Sequence, residues 1–218
     1  MERLIEADLQ RLKTETLTAF RLAQAAVDMA VRSVFERDPA LADAVIAGDA
    51  AIDAMECSLD AEVLRMLALH QPVAGDLRAI VGCMRCSGDI ERIGDQAVNI
   101  AERGLILLEL APQAPPPKLV ELAEATRDFL AHTADCFTNL DLTMARRLCE
   151  ESDEILELNV TILKEMAEVM RDAARPVERA VQVCFIAHGL KRVCDQCTNI
   201  AESVVFTREG ACSRHRCD

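Results

Sequence analysis

Apolar residues along this chain recur at the spacing of a helix face. Ile90, Ile93, Ala97, Ile100, Gly104 and Leu107 form one stripe roughly 100° wide, a width that suits packing in a bundle. Prolines and turn residues cut the chain into six long helical segments, three on each side of the Pro-rich stretch APQAPPPK at Ala111 to Lys118. Asp38-Pro39 reads as an N-cap followed by a proline in the first turn, and Gln71-Pro72 as the opening of a third helix. Helices are expected at 3–36, 39–69 and 72–110 in the first half. In the second half, Asn139-Leu140-Asp141 and Arg175-Pro176 are the breaks, with helices near 118–138, 141–173 and 176–208. The tail GACSRHRCD after Glu209 has no apolar period and is expected to be disordered.

The polar positions repeat too. GDIERIGDQAVNIAE at Gly88 to Glu102 returns one hundred residues later as HGLKRVCDQCTNIAE at His188 to Glu202, with Arg, Asp, Gln, Asn, Ile, Ala and Glu in register. A repeat of that length implies a duplicated unit. The expected fold is therefore all-α, two tandem three-helix bundles over 1–111 and 118–209 followed by the 210–218 tail, each bundle with its own core.

Composition narrows the function classes. With 51% hydrophobic and 28% charged residues, 8 Gly and 7 Pro, helix is the default state. No Trp, no Tyr and 6 Phe leave the core to aliphatic side chains. The apolar run near Leu105 is too short to span a bilayer, and MERLIEADLQ lacks the apolar core of a signal peptide, so a cytoplasmic location is expected. A net charge of −13 without a basic cluster or aromatic platform argues against nucleic acid and favours cations or basic protein surfaces.

That acidity is concentrated in stripes. At about 100° per residue, Glu91, Asp95, Asn99 and Glu102 fall at roughly 0°, 40°, 80° and 20°, on one face opposite the apolar stripe. Asp49, Asp53, Glu56 and Asp60 lie within about 60° of arc on the preceding helix, and no Lys or Arg occurs from position 48 to 64. Most polar stripes are solvated faces. Yet like charges at i and i+4 cost a helix about 0.2–0.5 kcal/mol per pair, and Asp49/Asp53, Glu56/Asp60 and Glu91/Asp95 all incur it. A cation shared between the two helices would reverse that repulsion. Oxygen-only donors select hard ions such as Mg²⁺, Ca²⁺, Mn²⁺ or iron over zinc.

On ERIGDQAVNIAE, KRVCDQCTNIAE, LALHQPVAGDLR at Leu67 to Arg78 and GDAAIDAMECSLD at Gly48 to Asp60, the chain resembles the PhoU family of phosphate transport system regulators over nearly its whole length. The resemblance implies two tandem three-helix bundles whose Glu/Asp-x-x-x-Asp motifs pair across helices and, in some members, hold multinuclear metal clusters. It implies that Asp49 and Asp53 face Glu91 and Asp95, with Glu56, Asn99 and Glu102 beside them as candidate metal ligands. It further implies a regulator restraining phosphate uptake and the starvation response, acting on the phosphate ABC transporter's ATPase subunit and the phosphate sensor histidine kinase, often as a homodimer.

The second repeat departs from this pattern. Lys191 stands where the motif has an acid, and the helix-two pair falls on Ser152 and Leu156. Lys191 can pair with Asp195 at i+4, so one competent metal site is expected, not two; Asp195, Asn199 and Glu202 remain there as weaker candidates. The family commonly has His after the motif Asp, where this chain has Gln96 and Gln196.

Ten cysteines include the pairs Cys83/Cys86 and Cys194/Cys197, but both lie within helices at i and i+3. Cys194 and Cys197 match Gly94 and Ala97 of the first repeat, so they read as small buried residues. Cys212, His215 and Cys217 in the tail form a weaker candidate metal group. A ferritin-like di-iron enzyme needs Glu-x-x-His, yet none of His70, His132, His188 or His215 has Glu three residues earlier. No Walker loop or Gly-rich phosphate cradle occurs. The expectation is a non-enzymatic protein: a regulatory adaptor in phosphate homeostasis, or alternatively a bundle for metal sensing or storage.

Overall fold

The structure, a computed structural model, describes residues 2–171 and 177–210. Six helices follow in order: α1 Glu2–Phe35, α2 Pro39–His70, α3 Ala74–Leu108, α4 Pro117–Asn139, α5 Leu142–Arg171 and α6 Val177–Glu209. Helices α1, α2 and α3 pack together, as do α4, α5 and α6. The all-α tandem architecture is as expected. The tail from 211 onward, with Cys212, His215 and Cys217, lies outside the described residues.

Local chemistry sets the helix ends. Asp38 is in extended backbone and its carboxylate accepts from Ala40 N at 2.9 Å, with Pro39 in the first turn. Asp141 does the same for α5, accepting from Thr143 N at 2.9 Å and Met144 N at 3.1 Å. Helix α6 stops where Gly210 enters the left-handed region at φ 72°, its N–H reaching Phe206 O at 2.8 Å. The start of α3 differs from expectation. Gln71-Pro72 does not open α3: Gln71 is left-handed and Val73 extended, so the helix begins at Ala74. A residue before proline is pushed out of the helical region, which leaves Pro72 in the turn.

The two halves do not keep separate cores. Buried side chains of all six helices form one continuous cluster, because α3 of the first half packs extensively along α6 of the second. They run antiparallel. A Cβ on Gly82 would meet the Thr207 side chain, and one on Gly189 would lie 3.0 Å from Ile100 Cγ1. Between these, Asn199 Nδ2 donates to Asp89 Oδ1 at 3.2 Å. The Arg85 and Arg103 guanidiniums stack on Phe206 and Phe185. The repeated segments of the two halves thus face each other along one central seam.

The cysteine pairs belong to that core. Cys83, Cys86, Cys194 and Cys197 are all buried, and Cys194 Sγ donates to Thr126 Oγ1 at 3.6 Å. Burial pushes the Cys83 thiol up to about 11 and Cys194 up to about 12, so neither is an available thiolate. At the N-terminal end of the first bundle, Asp8 accepts from Arg65 Nη2 at 2.7 Å and lies 2.9 Å from His70 Nε2, tying α1 to α2. Hydrogen bonds from Arg65 and His70 hold the Asp8 carboxyl at about 2.

Candidate functional site

The acidic stripes of α2 and α3 meet on the first bundle, and Gly94 sets how closely. A Cβ on Gly94 would lie 2.9 Å from Ile52 Cδ1 and 3.4 Å from Asp49 Oδ1. One on Gly88 would lie 3.6 Å from Glu56 Oε1. Bare backbone at Gly94 lets α2 lay Ile52 and Asp49 against α3, while Glu56 passes Gly88 at ordinary contact distance. Asp49, Glu56 and Glu91 are partly buried, while Asp53 and Asp95 stand in solvent.

These carboxylates feel one another. Burial, then the charges of Asp53 and Asp95, push the Asp49 carboxyl above its usual range. Burial, then Asp95, Glu56 and Asp53, do the same to Glu91 against the opposing charge of Arg92. Five carboxylates from two helices therefore form one electrostatic unit. Asn99 and Glu102 stand apart: Asn99 Nδ2 donates to Asp95 O at 2.9 Å, and Glu102 is exposed with Arg103 3.9 Å away. Asp60 is exposed one turn further along α2.

The oxygen donors and the uncompensated negative charge fit a hard cation such as Mg²⁺, Ca²⁺, Mn²⁺ or iron. The fit is one of donor type and charge. Among the described residues, no three His, Cys, Asp or Glu side chains converge closely enough to hold a metal ion in this arrangement.

The second repeat builds a different surface. Lys191 Nζ lies 2.7 Å from Asp195 Oδ2, the pairing that the sequence suggests. The Ser152 hydroxyl donates to Cys149 O at 2.8 Å. Continuing in register, Leu156, Asn159 and Leu163 replace Asp53, Glu56 and Asp60, so α5 carries no carboxylate at these positions, and Leu156 and Leu163 are exposed there. Asn199 turns away from α5 into the α3–α6 seam, donating to Asp89 Oδ1 and to Gln196 Oε1 at 3.3 Å. Glu202 is partly buried on the same helix. These residues do not fit the ligand set that Asp49, Asp53, Glu91 and Asp95 offer. Gln96 and Gln196, at the positions where the family commonly has His, are buried at 8% exposure each.

Comparison with known proteins matches this duplicated arrangement. The PhoU domain is found twice, over residues 16–104 and 119–204. The chain belongs to the PhoU family. A phosphate-specific transport system accessory protein PhoU homolog from Aquifex aeolicus is 32% identical over 209 residues, covering 96% of this chain and 95% of that protein. The homolog from Xylella fastidiosa is 35% identical over 215 residues, covering 97% and 89%. The crystal structure of PhoU from Pseudomonas aeruginosa superposes with a TM-score of 0.89 at 29% identity, covering 94% of this chain and 99% of that one. PhoU from Streptococcus pneumoniae shares the fold with a TM-score of 0.89 at 24% identity. The α2–α3 carboxylates of this PhoU chain fall inside the first matched segment, and the Asn199–Asp89 pairing of the α3–α6 seam joins the two matched segments.

Proposed function

We propose that this protein is an accessory regulator of phosphate transport, restraining phosphate uptake and the starvation response when phosphate is plentiful. The observation that carries this reading is the match of both repeats to the PhoU domain, with relatives named as phosphate-specific transport system accessory proteins covering nearly the whole chain. Its partners in this reading are the ATPase subunit of the phosphate ABC transporter and the phosphate sensor histidine kinase, met in the cytoplasm by a non-catalytic homodimer. Among the described residues, no helix is long and apolar enough to cross a membrane.

The acidic α2–α3 face is the proposed cation site, and with its bound cation the docking surface for those partners. Asp49 and Glu91, already destabilised as bare anions, gain most from a cation between the helices. Asp53, Glu56 and Asp95 supply further oxygens, and Asn99 and Glu102 border the site. The alternative of metal storage is less well supported, because a single acidic face on the first bundle offers little capacity.

Alkaline phosphatase activity in phosphate-replete cells lacking the gene tests this directly. Deletion is expected to raise activity, the wild-type copy to restore the low level, and an Asp49→Ala/Asp95→Ala copy to fail. Unchanged low activity on deletion would sink the regulatory reading. Restoration by the double variant would detach the acidic face from it.

A further inference from the structure

A cavity of about 680 Å³ opens where the two repeats meet the segment that joins them, away from the acidic face. Phe35, Leu107, Met166 and Val183 contribute to its apolar wall. Two guanidiniums enter it, Arg37 from the turn after α1 and Arg179 from the first turns of α6. None of its described lining residues is acidic, in a chain of net charge −13.

Among the described residues, the arginines are held by carbonyls and meet no carboxylate. Arg37 Nη2 donates to Leu108 O at 3.0 Å and Leu110 O at 2.9 Å, and Arg179 Nη2 donates to Ala111 O. Neutral carbonyls fix where the guanidiniums sit while leaving both charges in place, and each guanidinium has five N–H donors, so several stay uncommitted. Burial and then the neighbouring Arg37 lower the Arg179 pKa, the mark of two like charges sharing a partly dry site.

We propose that this cavity binds a small amphipathic anion: a carboxylate or phosphate group held between Arg37 and Arg179, on an apolar body lying along Phe35, Leu107, Met166 and Val183. Guanidiniums match such head groups with paired donors, and an anion between them removes their mutual repulsion. The volume is within the roughly 300–1,000 Å³ typical of small-molecule sites, whereas an inorganic ion would leave the apolar wall uncovered. Because the arginines come from different repeats and both grip the joining segment, the bound anion would brace the two halves.

Titration of the full chain with decyl phosphate, decanoate, decanol and inorganic phosphate, below the micellar range, tests the site by calorimetry and by the NMR signal of the Met166 methyl. Both amphipathic anions are expected to bind with a saturable Met166 shift, with decanol and inorganic phosphate at least about tenfold weaker. Arg179→Gln should weaken decyl phosphate by about tenfold, and Arg179→Lys should retain part of the affinity. Binding should also fall as salt rises, a readout on the unaltered protein that stands even if Arg179→Gln fails to fold. No saturable Met166 shift, equal binding of decanol, an unaltered affinity in folded Arg179→Gln, or salt-independent binding would each overturn the proposal. Sedimentation with phosphatidic acid vesicles separates the two sources of such an anion. Wild-type protein that pellets while Arg179→Gln stays in solution assigns a lipid head group, and wild-type protein that stays in solution assigns a freely diffusing anion.

Discussion

Lys191 Nζ sits 2.7 Å from Asp195 Oδ2, in the place where the first repeat sets Glu91 one turn from Asp95. One substitution thus converts a repelling pair into an attracting one, and it separates the chemistry of two otherwise matching helices. Asp49→Asn/Asp95→Asn is expected to abolish tight cation binding, measured by metal analysis after equilibration with Mn²⁺ or Fe³⁺, while Asp195→Asn leaves the stoichiometry unchanged. Equal loss from both variants would show that the second repeat also holds metal.

Helix contact at the acidic face depends on Gly94, whereas Gly48 on the facing helix touches nothing within 4 Å. Gly48→Ala should therefore stabilise the protein by about 0.5–1 kcal/mol through helix propensity alone. Gly94→Val forces side-chain carbon into Ile52, itself only 4% exposed, and should cost about 1–3 kcal/mol. Urea denaturation of the two variants reads both effects, and a stable Gly94→Val would mean that α2 and α3 separate easily.

Much of this was legible before the structure. Asp38-Pro39 and Asn139-Leu140-Asp141 placed their helix breaks to within a residue, because caps and prolines act locally. Lys191 and Asp195 are one turn apart, so their pairing followed from helix geometry. Gln71-Pro72 marks the break but not the first residue of α3, because Gln71 is left-handed and Val73 extended, which sets the helix start two residues beyond the proline. Asn199 reaches across to Asp89, 110 residues away, and periodicity within one helix does not say which partner lies opposite. The same limit hid Arg37 and Arg179, brought together only by the folded joining segment.

Acid and neutral pH should act on different carboxylates. Asp8 is held at about 2 by Arg65 and His70, so its contribution is present above the ordinary carboxylate range and lost as pH falls toward 2. Asp49 and Glu91 behave in the opposite sense. Their folded-state pKa values are raised, so the folded state binds the proton more tightly, and that stability is present below the unfolded pKa and lost as pH rises through the folded one. In metal-free buffer, Asp49→Asn should raise Tm at pH 7, reflecting a stability gain of roughly a few tenths of a kcal/mol from the relieved like-charge pair, with the gain vanishing below about pH 4. Asp8→Asn should lower Tm at pH 7, with the loss fading toward pH 2. A Tm gain for Asp49→Asn that persists in acid would show that charge is not its cause.

The two copies of the repeated asparagine have parted roles, and a single charge should reveal it. Asn99 is exposed and, among the described residues, donates to the backbone of its own helix at Asp95 O. Asn199 instead donates to Asp89, a carboxylate 7% exposed on the facing repeat. Asn199→Asp replaces that donor with a second carboxylate in the seam, which should cost about 1–3 kcal/mol at neutral pH by urea denaturation. Asn99→Asp, on the solvated acidic face, should stay within about 0.5 kcal/mol of wild type. Equal effects at the two positions would mean that the α3–α6 seam tolerates an added charge, and that the central polar pairing contributes nothing to holding the repeats together.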